Sequence, residues 1–206
     1  MTTETISIAE PRIIVGGLDI ETTGLEQAAG HRIIEVALTL HDLKTRKLIG
    51  SYTSRVNPQR SIDPKAQEIH GISFESLAEE PLWEPVAHKL RSLMGHCKYI
   101  VAHNGEGFDL PFIYGEFLRV GVPLPSVGLI DTMLQGRWAT ADGAVPNLKA
   151  LCFAAGVKYD GALAHAALYD VEVMMECFFP QLDTGFFKLP LAPYVFKAPT
   201  LKKDAK

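Results

Sequence analysis

The 206-residue sequence is poor in cysteine and contains only Cys97, Cys152 and Cys177. An odd number of widely spaced cysteines excludes a small disulfide-stapled fold, and their spacing matches no zinc site. We therefore expect all three side chains to be reduced, largely buried thiols of an intracellular protein.

We also expect neither a membrane-spanning segment nor a cleaved secretory signal. No apolar run approaches the ~20 residues that a helix needs to cross a bilayer. The first residues, MTTETISIAEPR, have neither the basic start nor the apolar core of a secretory signal. A cytoplasmic protein with no membrane partner is therefore expected.

The chain also lacks an excess of positive charge. It has 20 Lys and Arg residues and 24 Asp and Glu residues, which gives a net charge of −4. Nucleic-acid enzymes usually bind through a basic surface. Four of the acids are proposed below as metal ligands, and without them the two signs balance at 20 each. The charge therefore excludes neither a nucleic-acid enzyme nor an ordinary acidic cytosolic protein.

Apolar segments along the chain predict a single α/β domain over residues 1–180. With 47% hydrophobic and 21% charged residues, the chain can build a sizeable core. Strands are predicted at 12–20, 33–43, 48–56, 99–102 and 127–130. Helices are predicted at 82–94, 108–120, 148–155 and 162–179. Because only the KTRK turn separates the second and third strands, a mixed sheet is expected, with three antiparallel strands followed by parallel ones and flanked by helices.

Acidic residues stand at the ends of two of these segments. Asp19 and Glu21 end the first strand, in LDIETTGL, and residues two apart on a strand point to the same face. Asp109 falls in the first turn of the helix that follows HNGEGF. Taken one at a time, a solvated strand end and an aspartate stabilised by the helix dipole would explain these acids as well as a functional role would.

A third cluster, HAALYD, contains His165 and Asp170 within the last apolar stretch. Five residues at ~100° each separate the two side chains on a continuous helix. For both to reach one site, His165 should lie in the loop before the helix and Asp170 on its buried face. A carboxylate among Ala167, Leu168 and Val171 needs a partner or a metal.

The four acids lie at the ends of core elements and have no comparable basic partners beside them in the sequence. Oxygen ligands of this kind suit a hard divalent cation such as Mg²⁺ or Mn²⁺, whereas zinc would require Cys or more His. The sequence therefore predicts a metal site formed by Asp19, Glu21, Asp109 and Asp170.

The segments LDIETTGL, HNGEGFD and H-x4-D, in this order and spacing, resemble the three motifs of the DEDDh (DnaQ-like) 3′–5′ exonuclease family. That family includes the epsilon proofreading subunit of polymerase III and exonuclease X. The similarity covers residues 12–179, including the IHGIS and IDTM segments that are common in bacterial members, and it implies a ribonuclease H-like fold. One departure is that three residues separate Asn104 from Phe108, where many epsilon-like members have two.

The resemblance also implies a catalytic set with a division of labour. Asp19 would bridge two Mg²⁺ ions, for which Mn²⁺ can substitute, with Glu21 and Asp170 on the first ion and Asp109 on the second. His165 would act as the general base that deprotonates the attacking water. The product would be a nucleoside 5′-monophosphate released from a DNA 3′ end.

Contacts to the terminal nucleotide are implied around two of the motifs. Backbone groups near Gly24 would approach the 3′-OH, and Leu25 would pack against the last base, although core packing is the alternative for Leu25. Stacking and apolar contact read no base edges, so weak sequence preference on single-stranded or frayed ends is expected. The full set of expected contacts is Thr22, Thr23, Gly24, Leu25, His70, Ile72, Asn104 and Phe108.

Alternative functions and partners remain open from the residues. An RNA 3′–5′ exonuclease would use the same catalytic set, and a catalytically inactive nucleic-acid-binding subunit belongs to another class. Residues 181–206 contain three prolines and end in lysines, which is typical of an extension that drapes over the surface or is mobile. Within it, QLDTGFF loosely resembles sliding-clamp-binding peptides, which implies a polymerase or clamp contact; packing back onto the domain is the alternative.

Overall fold

Five strands form one sheet within residues 12–198, which are the residues that the computed structural model describes. They are β1 (Ile14–Thr22), β2 (Ile33–Asp42), β3 (Leu48–Arg55), β4 (Cys97–Ala102) and β5 (Gly128–Asp131). The order across the sheet is β3-β2-β1-β4-β5. The pairs β1–β2 and β2–β3 are antiparallel, and β1–β4 and β4–β5 are parallel. The predicted mixed sheet is confirmed.

The longer helices correspond to the helical segments predicted from the sequence. Within the described part of the chain they are α1 (Pro64–His70), α2 (Trp83–Met94), α3 (Asp109–Arg119), α4 (Thr132–Gln135), α5 (Leu148–Ala155) and α6 (Ala167–Asp183). The Asn147 side chain accepts a hydrogen bond from the Ala150 amide, and Gly156 ends α5 in the left-handed conformation, as the sequence predicts. The short helices α1 and α4 are not predicted by apolar periodicity, because neither is long enough to show it.

Hydrophobic cores cover both faces of the sheet. On one face, α2 and α3 bury large side chains such as Trp83 and Phe117 against β1, β2 and β4. On the other face, α6 packs closely on β1, where a Cβ at Gly17 would collide with Val171 and Met175. A side chain at position 17 would therefore push away the helix that carries Asp170.

Helix α6 differs from its predicted extent at both ends. It begins at Ala167 rather than at residue 162, and it continues past Pro180 to Asp183. Proline removes one helical hydrogen bond and usually ends a helix. Here Leu182 packs on the core below, and that contact outweighs the local preference for the last turn.

The segment after α6 runs over the surface of the domain as far as residue 198. The rest of the predicted extension, with Pro199 and the terminal lysines, lies outside the described residues. Phe187 is only 1% exposed and packs on Phe178. The Tyr194 amide donates to the Val127 carbonyl at 2.7 Å, and the Lys197 ammonium pairs with Glu106 at 2.8 Å. A clamp contact through QLDTGFF would therefore require Phe187 to leave the core.

The three cysteines are free and buried, as predicted. The sulfur atoms of Cys152 and Cys177 lie 3.7 Å apart between α5 and α6. Among residues 12–198, no helix is both long enough and apolar enough to cross a membrane.

Candidate active site

Strand β1 presents two of the predicted acids on the face that α6 covers. Asp19 and Glu21 alternate with Leu18 and Ile20, which point into the opposite core. Both acids lie within the strand rather than at its end, because pairing with β2 continues to Thr22. Their backbone is therefore fixed by the ladder, and their side chains start from a rigid element.

The other two acids come from the first turns of helices. Asp109 is the first residue of α3 and is 1% exposed, and Asp170 lies in the first turn of α6 and is 8% exposed. Helix α3 follows β4, which is parallel to β1, so its first residue returns to the edge of the sheet where β1 ends. Ligand sites of open α/β sheets lie at this carboxyl edge of parallel strands.

A single cavity of about 200 Å³ brings the whole predicted catalytic set together. Asp19, Glu21, Asp109, Asp170 and His165 all line it. Within this set, ligand atoms of Glu21, His165 and Asp170 lie within 4.8 Å of one another, which makes them a compact group able to hold a cation.

His165 stands in the loop before α6, as its spacing from Asp170 requires. Its side chain is exposed, and its backbone adopts the left-handed conformation with φ of 64°. The backbone amide of His165 donates to Asp170 Oδ2 at 3.0 Å. This hydrogen bond helps to hold a conformation that is strained for a residue with a side chain.

Burial is the largest cause of a raised pKa in all four carboxyl groups of the site. Burial, followed by repulsion from Asp170, raises the pKa of Glu21 to about 9. Burial also raises the pKa of Asp109 to about 8, and it raises those of Asp19 and Asp170. In Asp19 the next largest cause is repulsion from Asp109. The site therefore stores unfavourable electrostatic energy that a cation would relieve.

Two carboxylate oxygens at the cavity are buried and have no hydrogen-bond partner within the protein, Oδ1 of Asp109 and Oδ1 of Asp170. Buried polar atoms are normally paired, and an unpaired charge is costlier still. Unpaired carboxylate oxygens, together with the carboxylates of Asp19 and Glu21 in the same cavity, suit a hard divalent cation. The residues present therefore fit a metal site.

We expect the metal-free protein to lose stability as the pH rises from 7 to 9. A carboxyl whose folded pKa is raised stabilises the fold fully below its unfolded pKa of about 4, and this contribution is lost as the pH rises through the folded pKa. With Glu21 near 9 and Asp109 near 8, that loss continues through this window, whereas buried histidines are neutral throughout it. The melting temperature in EDTA should fall by several degrees, at about 2–4 °C per kcal/mol for a chain of this size.

Mn²⁺ or Mg²⁺ should raise the melting temperature, and more so at pH 9 than at pH 7, because the ions bind the deprotonated carboxylates. Glu21→Gln should flatten the pH dependence and weaken the response to metal. Asp142→Asn, at an exposed loop carboxylate, should change neither. A metal-free melting temperature that stays constant or rises over this range would contradict the assignment.

Five of the eight expected nucleotide contacts also line the cavity, namely Thr22, Gly24, Leu25, His70 and Phe108. Leu25 is 76% exposed, so core packing does not explain it. His70 Nδ1 accepts a hydrogen bond from the Ile72 amide at 3.0 Å, which leaves its Nε2 buried without a partner.

The structure does not bring the other three into the lining. Thr23 is completely buried, and its hydroxyl bonds to His31 Nδ1 at 3.0 Å. Ile72 belongs to a small core cluster with Ile34 and Leu77. The Asn104 carbonyl instead accepts from the Phe108 amide at 2.9 Å, which closes the turn before α3. These three residues therefore stabilise the structure around the cavity and do not line it.

Sequence reasoning missed several residues at the site. His103 and Ile69 line the cavity, and Glu35 acts electrostatically on Asp19 and Glu21. Ile69 lies one position before His70 on α1, a helix too short to predict. Glu35 is found only from the register of β2 against β1, where it stands directly opposite Glu21.

Comparison with known proteins gives two kinds of similarity. The profile of the exonuclease family (RNase_T) matches residues 17–178. The chain is also similar to the DNA polymerase III subunit epsilon of Rickettsia conorii, with 33% identity over 166 residues. That alignment covers 78% of this chain and 70% of the relative.

Solved structures share the fold at lower sequence identity. Escherichia coli exonuclease I in complex with a dT13 oligonucleotide superposes with a TM-score of 0.70 at 20% identity, over 82% of this chain and 41% of that chain. The nuclease domain of 3′hExo, a DEDDh family member bound to rAMP, superposes with a TM-score of 0.69 at 16% identity, over 90% of this chain and 100% of that domain. These likenesses concern the fold.

Proposed function

Because the chain belongs to the exonuclease family and is a metal-dependent 3′–5′ exonuclease with a ribonuclease H-like fold, we propose that its substrate is the 3′ end of single-stranded or frayed DNA. The product is a nucleoside 5′-monophosphate. The convergence of four carboxylates and His165 on one cavity carries the hydrolytic part of this proposal, and the choice of DNA rests on the relative described above.

Two Mg²⁺ ions are the cofactors we propose, and Mn²⁺ should replace them. Asp19 would contact both ions, Glu21 and Asp170 would complete the first site, and Asp109 would complete the second. When bound, such ions acidify a water molecule and stabilise the charge that develops on the scissile phosphate and the leaving 3′ oxygen. The buried, unpaired oxygens of Asp109 and Asp170 support their part in this set.

His165 is the proposed general base. It is the exposed member of the set, so its ring can reach a water molecule at the mouth of the cavity and pass the proton to solvent. The exposed Leu25 would pack against the terminal base. Phe108 lines the same cavity and would add to this apolar contact. Apolar contacts of this kind bind a base without reading its hydrogen-bonding edge.

DNA is proposed over RNA because the relative with 33% identity is a subunit of a DNA polymerase. The same similarity supports a polymerase as partner and a cytoplasmic location. Exonuclease I bound to dT13 has the same fold, which is consistent with a single-stranded substrate.

Timed digestion of 5′-labelled oligonucleotides tests the substrate. Single-stranded DNA, blunt duplex DNA, duplex DNA with a 3′ mismatch and single-stranded RNA would be compared at equal metal concentration. We expect a ladder that shortens from the 3′ end, fastest on single-stranded and mismatched DNA. EDTA should stop it.

Faster digestion of the RNA oligomer would replace DNA by RNA in the proposal. Absence of shortening in every polymer, together with retained binding of labelled DNA, would favour the inactive binding subunit. An oligomer with a 3′-phosphate serves as control, since it blocks approach of the terminal nucleotide without altering the polymer.

A further inference from the structure

A row of three charged side chains crosses the sheet and ends at the active site. Glu21 on β1 is directly opposite Glu35 on β2, and Glu35 is directly opposite Arg55 on β3. Residues paired in this way project from the same face of the sheet. The Arg55 guanidinium donates to Glu35 Oε1 at 3.1 Å.

Glu35 also reaches the segment that presents His165. Its second oxygen, Oε2, accepts a hydrogen bond from the backbone amide of Ala167 at 3.2 Å. Ala167 is the first residue of α6 and follows His165 by two positions. The amides of a first helical turn have no partner within the helix, so this acceptor satisfies one of them from a neighbouring strand.

The turn around His165 needs such support. His165 has a positive φ of 64°, and a conformation of this kind persists only where surrounding contacts fix it. Two carboxylates provide those contacts, Asp170 at the His165 amide and Glu35 at the Ala167 amide. Asp170 is itself a proposed metal ligand, whereas Glu35 lies outside the proposed ligand set.

Like charges directly opposite each other on a sheet repel, so a glutamate facing Glu21 needs a reason to be there. Arg55 offsets part of the repulsion from the outer strand. The carboxylate is therefore held between a cation on one side and a backbone donor on the other, which fixes its orientation.

We propose that Glu35 is a positioning residue that holds the His165 turn in place through the Ala167 amide, with Arg55 as its counter-charge. The inference rests on the proposed role of His165 as base. Glu35 touches neither substrate nor the reacting atoms in this assignment; it acts through the backbone that carries His165.

The test compares Glu35→Ala, Glu35→Gln and Asp42→Ala in the full chain. Asp42 is a matched control because it stands at the other end of β2 and also joins an arginine to a backbone amide, accepting from Arg12 and from the Thr45 amide. Amide exchange of Ala167 is followed by NMR in the metal-free protein. Initial rates on single-stranded DNA are measured at saturating Mg²⁺.

Glu35→Ala should speed exchange at Ala167 by about tenfold or more, because a hydrogen bond to a charged acceptor is lost. It should lower kcat by roughly tenfold, with KM for DNA little changed, since misplaced catalytic groups cost rate rather than binding. Glu35→Gln keeps an acceptor oxygen and should recover much of both effects. Asp42→Ala should speed exchange at Thr45 and leave Ala167 and kcat unchanged.

Unchanged exchange at Ala167 in Glu35→Ala would overturn the inference. So would faster exchange with an unaltered kcat while replacement of His165 remains deleterious, because Glu35 would then be structural only. If replacement of His165 leaves kcat intact, His165 is not the general base and Glu35 has no catalytic role through it. The exchange data alone would still report whether Glu35 holds the turn.

Discussion

Asp19→Asn should lower kcat/KM on single-stranded DNA by about 10³-fold or more, the equivalent of several kcal/mol of lost transition-state stabilisation. Asp19 is the proposed ligand shared by both ions, so its loss should weaken both sites at once. The variant keeps the size of the side chain and loses only its charge. Asp170→Asn should have a comparable effect.

A loss of folding would not explain that result. Burial and the neighbouring carboxylates raise the pKa of Asp19, so a neutral amide removes an unfavourable charge. The metal-free variant should therefore melt at a temperature no lower than that of the wild type at pH 8, and it should lose most of the stabilisation by Mn²⁺. Activity within tenfold of wild type, measured beside the loop control Asp142→Asn, would exclude Asp19 as the shared ligand.

His165→Asn should slow turnover by ~100-fold or more, which is the usual contribution of a general base. Asparagine tolerates the left-handed backbone at this position better than alanine does, so the turn should survive. Stabilisation by Mn²⁺ should be largely retained. Turnover is measured under single-turnover conditions, so that product release does not mask the chemical step.

The metal measurement decides between two roles for His165. Its ring lies within 4.8 Å of ligand atoms of Glu21 and Asp170, close enough for a direct ligand as well as for a base. Replacing a metal ligand would lower the metal affinity of the protein, whereas replacing a general base would not. His88→Ala, an exposed histidine on α2, controls for the loss of an imidazole elsewhere. Normal rates in His165→Asn would refute both roles.

Much of the fold follows from local patterns. The β-branched runs and the short KTRK turn predict strands β1, β2 and β3 to within two residues, and the Asn147 cap predicts the start of α5. The end of α6 is wrong in the prediction, because contacts of Leu182 with the core carry the helix one turn beyond Pro180. Local propensity is a weak term where a helix end is packed.

The set of side chains that line the cavity also could not be predicted from local sequence alone. Motif positions predict a continuous run of contacts from Thr22 to Leu25, yet Thr23 turns inward to bond with His31. Strand β1 ends at Thr22, and the backbone bends over residues 23–25, so strand alternation does not predict where the Thr23 side chain points. Which side faces the cavity depends on β2 and α1, which lie elsewhere in the chain.

The acidic residues and their order were identified from the sequence alone, because together they match the three exonuclease motifs, although each acid by itself also fits a structural role. Only the tertiary structure decided that Asp19, Glu21, Asp109, Asp170 and His165 share one cavity, and that Glu35 stands beside it. The physical reason is strand register: a shift of one residue between β1 and β2 would turn every side chain of the strand to the other face. That register is fixed by the cores on both faces of the sheet, to which distant parts of the chain contribute.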